Sequence, residues 1–529
     1  MTTAGGLNVQ RLLEPDFYAH PVRDLRLVET HISWVFLTGD YAYKVKKPLD
    51  LGFLDFSTLE KRAHCCREEL RLNRRLAPDL YLEVVPLTGS PEAPVLAGPG
   101  RAVEHAVKMR QFDERGLLDR SIARGTLTPE RIDRIARIVA DFHARIDRAP
   151  EGSDFGTPER AHFPVAENFH QTLPLVSDPA LRGRLERLQA WSEAAYARLA
   201  PLMGVRRRAG FIRECHGDMH LGNMAEVDGE VAIFDGIEFN PNLRWIDVMS
   251  EVAFLCMDLE HRGRPDYAWR FLNGYLERTG DYEGLALLRY YQAYRAMVRT
   301  KISAIRLAQP GLSTAEADAA RAALLGYLTL AEGYARPAQP FLIITHGPSG
   351  TGKTRLAGNL CERLGAVRLR SDVERKRLEN LPPEARSGSA LEAGLYSAAM
   401  TEATYARLAA LARMVLLAGI PAVVDATFLA RAQRDRLRAV AAQQGVPFQI
   451  LNLQASIQSL RNRVADRVRH GEDASEAGLT VLERQLKTLR PLDPDEAAAT
   501  LTIDTEGQVA VEELAQRLHD AIAPEPPRA

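Results

Sequence analysis

Two sets of residues in this chain have the types and the spacing that phosphoryl transfer to a hydroxyl requires. One set begins in "HGDMHLGN" at residues 216–223, where Asp218 stands five positions before Asn223 and Asp235 follows a short hairpin. A carboxylate such as Asp218 can accept the proton of the attacking hydroxyl, and the side-chain oxygens of Asn223 and Asp235 are ligands that Mg2+ prefers. The spacing therefore predicts a catalytic base beside a magnesium site.

A lysine and a glutamate ahead of this loop complete the first set. In "YAYKVKK", Lys44 follows alternating apolar residues, and Lys46 lies on the same face of a strand because side chains repeat every two residues. We expect Lys44 to contact the phosphates and keep Lys46 as the alternative. Glu69, with Glu68 beside it on the next helix, is the expected partner of that lysine.

The second set is "GPSGTGKT" at residues 347–354, which follows the apolar run "FLIIT". This is the Gly-x4-Gly-Lys-Ser/Thr pattern in its strand, loop and helix context, where backbone N–H groups and a helix N-terminus face phosphates. We predict that Lys353 reaches the outer phosphates and that Thr354 binds Mg2+. The other loop residues expected to bind nucleotide are Gly347, Ser349, Gly350, Thr351 and Gly352.

Four charged residues after this loop are candidates for the rest of the site. Asp372 ends "VRLRSD", where it can hold and deprotonate an acceptor hydroxyl; alternatively, it caps the next helix. Asp425 ends "AVVD" and is the expected magnesium carboxylate. Arg463 and Arg467 share one helical face and are expected to close over the triphosphate, with a solvated basic face as the alternative.

The elements that must position these residues fall into two parts. In the first part, two β-rich runs around "TGD" predict a hairpin, "FSTLEKRAHCCREELRLNRRLAP" predicts a capped helix, and "YLEVVPLTG" and "RAVEHAVKMRQF" predict further strands. From about residue 128 the pattern is helical, except for a hairpin that turns at Asp228-Gly229. We expect a small β-rich lobe at residues 1–110 and a helical lobe at 111–332.

The second part alternates short apolar strands with helices. The strands are expected at "FLIITHG", "AVRLRSD", "PAVVDAT" and "FQILNLQ", which predicts a mostly parallel α/β sheet. Proline and glycine at residues 333–340 predict a linker, and residues 341–525 a P-loop kinase domain. The predicted fold class is thus an α/β multidomain protein with a bilobal α+β domain first.

The first part resembles a known family. "ECHGDMHLGNM" followed by "IFDGIEFNPNLRWIDV" is similar to the aminoglycoside phosphotransferase (choline kinase-like) branch of the protein-kinase fold, over roughly residues 20–330. The resemblance implies that His216 belongs to the catalytic loop, that Asp247 braces it, and that Met109 lies in the hinge that meets the adenine. The chain departs from the family in its glycine-rich loop, where it has only the short turn "LTGD", and in lacking an acidic aminoglycoside-binding tail.

The second part resembles small P-loop kinases such as polynucleotide 5′-kinases, gluconate kinase and zeta-toxin kinases, over about residues 340–525. The resemblance implies that Asp372 binds the acceptor and that Arg463 and Arg467 form a lid. As a whole, the chain resembles bacterial proteins that fuse a phosphotransferase domain to a P-loop, AAA-type ATP-binding domain.

Composition sets limits on the function. The 529 residues exceed what one hydrophobic core organises, and a net charge of -1 gives no global electrostatic argument for nucleic acid. Five cysteines without metal-binding spacing predict reduced thiols. No run is apolar and long enough for a membrane span and the first residues lack a signal-peptide core, so we expect a cytoplasmic protein.

These observations favour a kinase that uses ATP and Mg2+, is bifunctional, and phosphorylates small hydroxyl compounds. One alternative is a nucleic-acid 5′-end kinase that acts through the P-loop domain; another is a nucleotide-switched regulator with one degenerate domain. Arg295 and Arg299, one helical turn apart, fit either an acceptor-phosphate site or a solvated face, and the solvated face is favoured.

Overall fold

The structure is a computed structural model that describes residues 6–52, 54–382, 385, 397–470 and 478–522. The predicted domain end at residues 523–525 lies outside this part. Contacts divide the chain into two compact units. Unit 1 comprises Met1–Arg134, Asp141–Asp258 and Arg295–Leu324, and unit 2 comprises Ile135–Ala140, Leu259–Tyr294 and Leu325–Ala529. Residues 259–294, which the sequence assigns to the helical lobe, are thus grouped with the P-loop region.

A six-stranded antiparallel sheet in the order β1-β2-β3-β6-β4-β5 forms the small lobe of unit 1. Its strands are β1 Arg26–Glu29, β2 Ser33–Leu37, β3 Tyr41–Lys46, β4 Tyr81–Gly89, β5 Pro94–Leu96 and β6 Glu104–Arg110. One face buries Phe36, Val45 and Leu87. The predicted hairpin around "TGD" is confirmed as the β2–β3 turn.

Helix α1, Leu59–Asn73, packs against this sheet through a cluster that includes Cys66, Tyr81 and Val107. Its N-cap is Thr58, whose hydroxyl accepts a hydrogen bond from the backbone N–H of Lys61, as the Ser/Thr signal predicts. The helix therefore has a fixed start, which sets the position of Glu69 about three turns along it.

Short strands frame the catalytic loop in the helical part of the chain. They are β7 Ile212–Glu214, β8 Met224–Val227, β9 Glu230–Ile233 and β10 Trp245–Asp247. The β8–β9 hairpin turns at Asp228-Gly229, where both residues have positive φ, 53° and 82°. The helices of this region are α2 Leu118–Ala123, α3 Pro129–Arg145, α4 Pro158–Thr172, α5 Pro179–Arg208, α6 Val248–His261, α7 Pro265–Thr279, α8 Leu285–Leu307 and α9 Thr314–Ala335.

A five-stranded parallel sheet in the order β12-β13-β11-β14-β15 forms the centre of unit 2. Its strands are β11 Leu342–His346, β12 Val367–Arg370, β13 Ala422–Asp425, β14 Phe448–Gln454 and β15 Thr500–Asp504. The predicted strands and the parallel fold class are confirmed. One core cluster joins Ile343, Val423 and Leu451 of the sheet to Leu360 and Leu514 of the helices.

The helices that follow β11 are α10 Lys353–Leu364, α11 Ser371–Leu378, α12 Ala398–Leu417, α13 Arg431–Gln444, α14 Ile457–His470, α15 Leu479–Thr488 and α16 Val511–Ile522. All five cysteines are buried as free thiols. Among the described helices, none has the length and apolar character needed to cross a membrane.

Candidate active sites

The catalytic loop of unit 1 connects β7 to β8 and is built around His216. His216 Nε2 lies 2.9 Å from the carbonyl oxygen of Phe234, and the backbone N–H of Asp218 donates to His216 Nδ1 at 3.3 Å. Burial lowers the pKa of His216. The ring is therefore neutral, donates from Nε2, and ties the loop to the residue just before Asp235.

Asp218 and Asn223 lie side by side, as their spacing predicts. Asn223 Nδ2 donates to the carbonyl oxygen of Asp218 at 2.9 Å and to Asp218 Oδ2 at 3.0 Å. Burial acts to raise the pKa of Asp218, but His220 at 3.4 Å, together with His216 and Arg299, holds that pKa well below its usual range. Asp218 is thus an ionised carboxylate at neutral pH.

Asp235 follows β9 in a strained conformation. It has a φ of 63°, which is uncommon for a residue other than glycine. Two hydrogen bonds hold this turn: Asp235 N–H donates to Tyr81 Oη at 3.1 Å, and Gly236 N–H donates to Asn73 Oδ1 at 2.8 Å. The turn directs the Asp235 carboxylate to Lys44, whose Nζ lies 2.5 Å from Oδ1.

The two lysines that the sequence leaves as alternatives both pair with Glu69. Lys44 Nζ lies 2.9 Å from Glu69 Oε1, and Lys46 Nζ lies 2.7 Å from Oε2 and also pairs with Glu238. Burial acts to raise the pKa of Glu69, but the two ammonium groups lower that pKa to about 2. Lys44 is the one that also contacts Asp235, so the two lysines have different positions in the site.

The P-loop of unit 2 surrounds Lys353. Its Nζ donates to the carbonyl oxygen of Pro348 at 2.7 Å and to Thr351 Oγ1 at 3.3 Å. Glycine is required at position 350, because φ is 87° and an added Cβ would lie 2.8 Å from the carbonyl oxygen of Leu460. Burial lowers the pKa of Lys353 to about 8, while Asp425 and Asp372 act to raise it.

Asp425 and Thr354 meet beside the P-loop. Asp425 is buried at the end of β13, where burial raises its pKa while Arg370, Arg368 and a hydrogen bond from Thr354 act to lower it. Arg370 Nε lies 3.9 Å from Asp425 Oδ2. A carboxylate and a hydroxyl are thus hydrogen-bonded to each other beside the loop.

Asp372 lies in the first turn of α11, and the N-cap position is taken by Arg370, which makes no side-chain capping bond. The helix-cap alternative for Asp372 is therefore wrong. Its carboxylate lies 3.5 Å from Arg375 and lines the same cavity as Lys353.

Arg463 and Arg467 also line that cavity, and both are partly buried. Arg463 donates to the carbonyl oxygen of Gly350 at 3.4 Å and to that of Thr505 at 2.5 Å. The cavity has a volume of about 450 Å3. Its further lining residues include Ser349, Gly352, Arg370, Thr401, Tyr405, Gln433 and Gln485.

Two family models match this chain, one in each of its two predicted parts. The family model "Phosphotransferase enzyme family" matches residues 66–288, and the model "AAA domain" matches residues 342–492. A protein of Mycobacterium tuberculosis strain H37Rv and one of Mycobacterium bovis, both described as uncharacterized, are each 32% identical over 464 residues, or 86% of this chain and 90% of theirs. This chain belongs to their family. It joins a phosphotransferase-family domain to a P-loop kinase domain.

Solved structures align with one domain or the other. The choline/ethanolamine kinase family protein of Mesorhizobium loti covers 60% of this chain and 94% of its own, with 14% identity and a TM-score of 0.37. A gluconokinase from Sinorhizobium meliloti covers 35% of this chain and 98% of its own, with 24% identity and a TM-score of 0.23.

Two carboxylates that sequence reasoning missed, together with one arginine that it named, hold the loop at residues 216–223 of the phosphotransferase-family domain. The backbone N–H of Gly217 donates to Glu251 Oε1 at 2.6 Å, and that of Leu221 donates to Asp258 Oδ2 at 2.9 Å. Arg295 donates to the carbonyl oxygen of Gly217 at 3.0 Å and is 4% exposed, so the solvated-face prediction for Arg295 is wrong. The sequence signal that could have found Glu251 and Asp258 is their presence as two carboxylates, seven residues apart, in the apolar helix α6.

Asp247 has a different partner from the one that the resemblance implies. Its carboxylate accepts two hydrogen bonds from the buried guanidinium of Arg206, at 2.8 and 2.9 Å, and one from the backbone N–H of Met249. It therefore fixes the strand β10, which pairs with β7 just before the loop. Glu251 and Asp258 are the carboxylates that accept hydrogen bonds from the loop backbone itself.

Met109 lies in β6, where it pairs with Ala42 on one side and Tyr81 on the other, and the strand ends one residue later. Gln111 follows, and its Oε1 accepts the backbone N–H groups of Thr38 and Gly39 at 3.0 and 2.9 Å. The short β2–β3 turn is thus bonded to the segment that the resemblance identifies as the hinge.

In the P-loop kinase domain, Gln485 of α15 was also missed. Its Oε1 accepts the backbone N–H of Ser349 at 2.7 Å. The helix α15 thereby contacts the P-loop at an amide that the motif assigns to phosphate binding.

Proposed function

We propose that the chain is an ATP- and Mg2+-dependent phosphotransferase with two separate phosphoryl-transfer sites, each of which transfers the γ-phosphate to a hydroxyl group. The observation that supports this proposal is a repeated set of groups. Lys44, Asp235 and Asp218 supply a cation, a metal-binding carboxylate and a proton acceptor in one domain. Lys353, Asp425 and Asp372 supply the same three groups in the other.

The donors of the first site fit Mg2+. Asn223 uses its amide N–H groups on Asp218, so its amide oxygen remains as the acceptor end of that side chain. Asp235 adds a carboxylate that is half exposed and held in place by its strained turn. Oxygen donors of this kind are those that Mg2+ takes.

The donors of the second site fit as well. Thr354 and Asp425 present a hydroxyl and a buried carboxylate next to the P-loop, and burial of a carboxylate favours a cation beside it. When bound, Mg2+ would neutralise charge on the transferred phosphoryl group in both sites.

The side chains divide the remaining tasks. Lys44 and Lys353 steady the phosphates of the nucleotide, while Asp218 and Asp372 orient the acceptor hydroxyl and take its proton as the new P–O bond forms. Arg463 and Arg467 add positive charge from α14 on the P-loop side. Each site transfers one phosphoryl group and leaves ADP.

A small-molecule acceptor is the form of the proposal that the cavity supports. One cavity of about 450 Å3 is lined both by the P-loop and by Asp372. Its volume lies in the range of small-ligand pockets. A 5′-hydroxyl end of RNA remains the competing acceptor for the P-loop domain.

The test is phosphate transfer from γ-labelled ATP with Mg2+, carried out separately with a small-metabolite extract and with 5′-hydroxyl RNA. The wild type, Lys353→Ala and Asp218→Asn are compared, and Lys47→Ala, whose ammonium pairs with the exposed carboxylate of Glu29, is the matched lysine control. Label on a metabolite that disappears in one variant identifies the active domain. Label on RNA that requires Lys353 replaces the small-molecule acceptor, and release of free phosphate alone from all forms contradicts transfer.

A further inference from the structure

The edge strand of the P-loop sheet is completed by a side chain from α7. β12 is the first strand in the sheet order, so no strand among the described residues pairs with its outer row of backbone groups. Asn273 occupies that edge: its Nδ2 donates to the carbonyl oxygen of Ala366 at 3.0 Å, and its Oδ1 accepts the backbone N–H of Arg368 at 2.7 Å. The amide side chain of Asn273 thus hydrogen-bonds to one backbone carbonyl and one backbone N–H at the strand edge, as a peptide group of a neighbouring strand would.

One helical turn further along α7, Glu277 pairs with two arginines of β12. Glu277 Oε1 lies 2.6 Å from Arg368 Nη2, and Oε2 lies 3.3 Å from Arg370 Nη1. Burial acts to raise the pKa of Glu277, but Arg368 and Arg370 hold that pKa below its usual value. Arg370 also lines the cavity, 3.9 Å from Asp425, so Glu277 is one side chain away from the site.

The end of α7 also holds α11, the helix that carries Asp372. Arg377 donates to the carbonyl oxygen of Glu277 at 2.6 Å, and Tyr282 Oη donates to Glu374 at 3.3 Å. Gly280 ends α7 with a φ of 71°, and an added Cβ there would lie 2.9 Å from Arg377 Nε. The segments on both sides of Asp372, β12 before it and α11 around it, are therefore bonded to residues 273–282.

We propose that residues 273–282, here called the clasp, position the acceptor side of the P-loop site, with Glu277 as the principal positioning residue. The clasp lies in the part of the chain that the phosphotransferase family model covers, which extends to residue 288. The P-loop kinase domain is thus completed by a segment that precedes its own motif by some 70 residues of sequence. The activity part of this inference rests on the proposed function; the structural part does not.

The experiment uses the full-length chain with Asp218→Asn as background, so that ATP turnover reports the P-loop site. Glu277→Gln keeps the size of the side chain and removes the charge that Arg368 and Arg370 share. The matched control is Glu362→Gln, because Glu362 pairs at 2.9 Å with Arg270 of the same helix α7 but does not line the cavity. Glu277→Asp retains the charge on a shorter side chain.

We expect Glu277→Gln to lower the Lys353-dependent turnover at least tenfold while the KM for ATP changes less than threefold, because the P-loop backbone and Lys353 stay in place. Hydrogen exchange measured by mass spectrometry is expected to speed up in peptides covering residues 367–378 and to stay unchanged over β14 and β15. Glu277→Asp is expected to recover part of the turnover, and Glu362→Gln to match the background.

Wild-type exchange over 367–378 in Glu277→Gln overturns the clasp, as does an equal loss of turnover in Glu362→Gln. If Glu277→Gln does not fold, hydrogen exchange over residues 367–378 is compared between Glu277→Asp and the background. Unchanged exchange in that comparison overturns the clasp. If the background turns over no ATP, the proposed function of the P-loop site fails, while the exchange data still decide whether the clasp positions β12 and α11.

Discussion

At the scale of single residues, the first site depends on one carboxylate that serves two lysines. The side chains of Glu69 and Lys46 are almost wholly buried, and that of Lys44 is 11% exposed. The sequence could place both lysines on one face of β3 because strand side chains alternate. It predicted Glu69 as a partner, but it could not show that Glu69 pairs with both lysines or that Glu238 joins Lys46, since Glu238 comes from a distant part of the chain.

Glu69→Gln is expected to lower the free energy of unfolding by about 3 kcal/mol, because it leaves two buried ammonium groups with one carboxylate fewer. Urea unfolding at pH 7 measures this difference. Glu83→Gln is the control: its side chain is 57% exposed and pairs with Lys108, so a change of less than about 0.5 kcal/mol is expected. Equal effects of the two substitutions would contradict the role of Glu69.

The contribution of Glu69 is also expected to depend on pH. Its pKa is about 2 in the folded protein against 4.5 for an ordinary glutamate, so its stabilising effect is complete above pH 4.5 and is lost as the pH falls toward 2. The difference in unfolding free energy between the wild type and Glu69→Gln should therefore shrink between pH 5 and pH 3. A difference that is constant over this range would show that the charge of Glu69 is not what stabilises the site.

Lys353 is expected to destabilise the folded protein below its unfolded-state pKa, whereas Glu69 stabilises it above its own. Burial lowers its pKa to about 8 from 10.5, so the unfolded chain binds more protons between these values and stability rises with pH there. Without nucleotide, the wild type should gain stability relative to Lys353→Met as the pH rises from 8 to 10. Urea unfolding at both pH values tests this. If the unfolding free energies of the two proteins changed by the same amount, the pKa of Lys353 would not be lowered in the folded protein.

At the scale of elements, the sequence predicted those whose signals are local. The β2–β3 and β8–β9 hairpins follow from their turn residues, and α1 begins at the predicted type of cap. β15 was not predicted because it lies at the sheet edge, where Ile503 is its buried residue and no continuous apolar run marks it. The clasp on α7 was missed for a related reason: nothing near Asn273 and Glu277 in sequence indicates that they meet β12.

The β2–β3 turn gives a prediction at this scale. Gln111→Ala removes the side-chain acceptor of the Gly39 N–H and one of the two acceptors of the Thr38 N–H, which also donates to the carbonyl oxygen of Tyr41. It is expected to cost about 1 kcal/mol and to speed hydrogen exchange in the turn. Gln111→Glu keeps an acceptor at that position and is the matched control. Exchange over residues 37–41, followed by mass spectrometry, should separate the two variants; identical exchange would mean that Gln111 does not hold the turn.

At the scale of the whole molecule, the two candidate sites place the same kinds of group on different structural elements. One places its lysine on an antiparallel sheet and its carboxylates on loops; the other places its lysine at a helix start and its carboxylates after parallel strands. The motifs made this predictable from sequence, because each carries its own local context. The compact units were less predictable, since residues 259–294 join the P-loop region through contacts distant in sequence.

Separate sites imply that nucleotide occupancy is additive. Isothermal titration with ADP and Mg2+ is expected to give two nucleotides per chain for the wild type, one for Lys353→Ala and one for Lys44→Ala, because each lysine belongs to one compact unit. The double variant should bind none, and Lys47→Ala, whose ammonium pairs with the exposed carboxylate of Glu29, should still bind two. If either single variant lost both nucleotides while its thermal unfolding stayed like that of the wild type, the two sites would have to be coupled. One site would then need the other to be filled, and the chain would carry out one reaction in place of two.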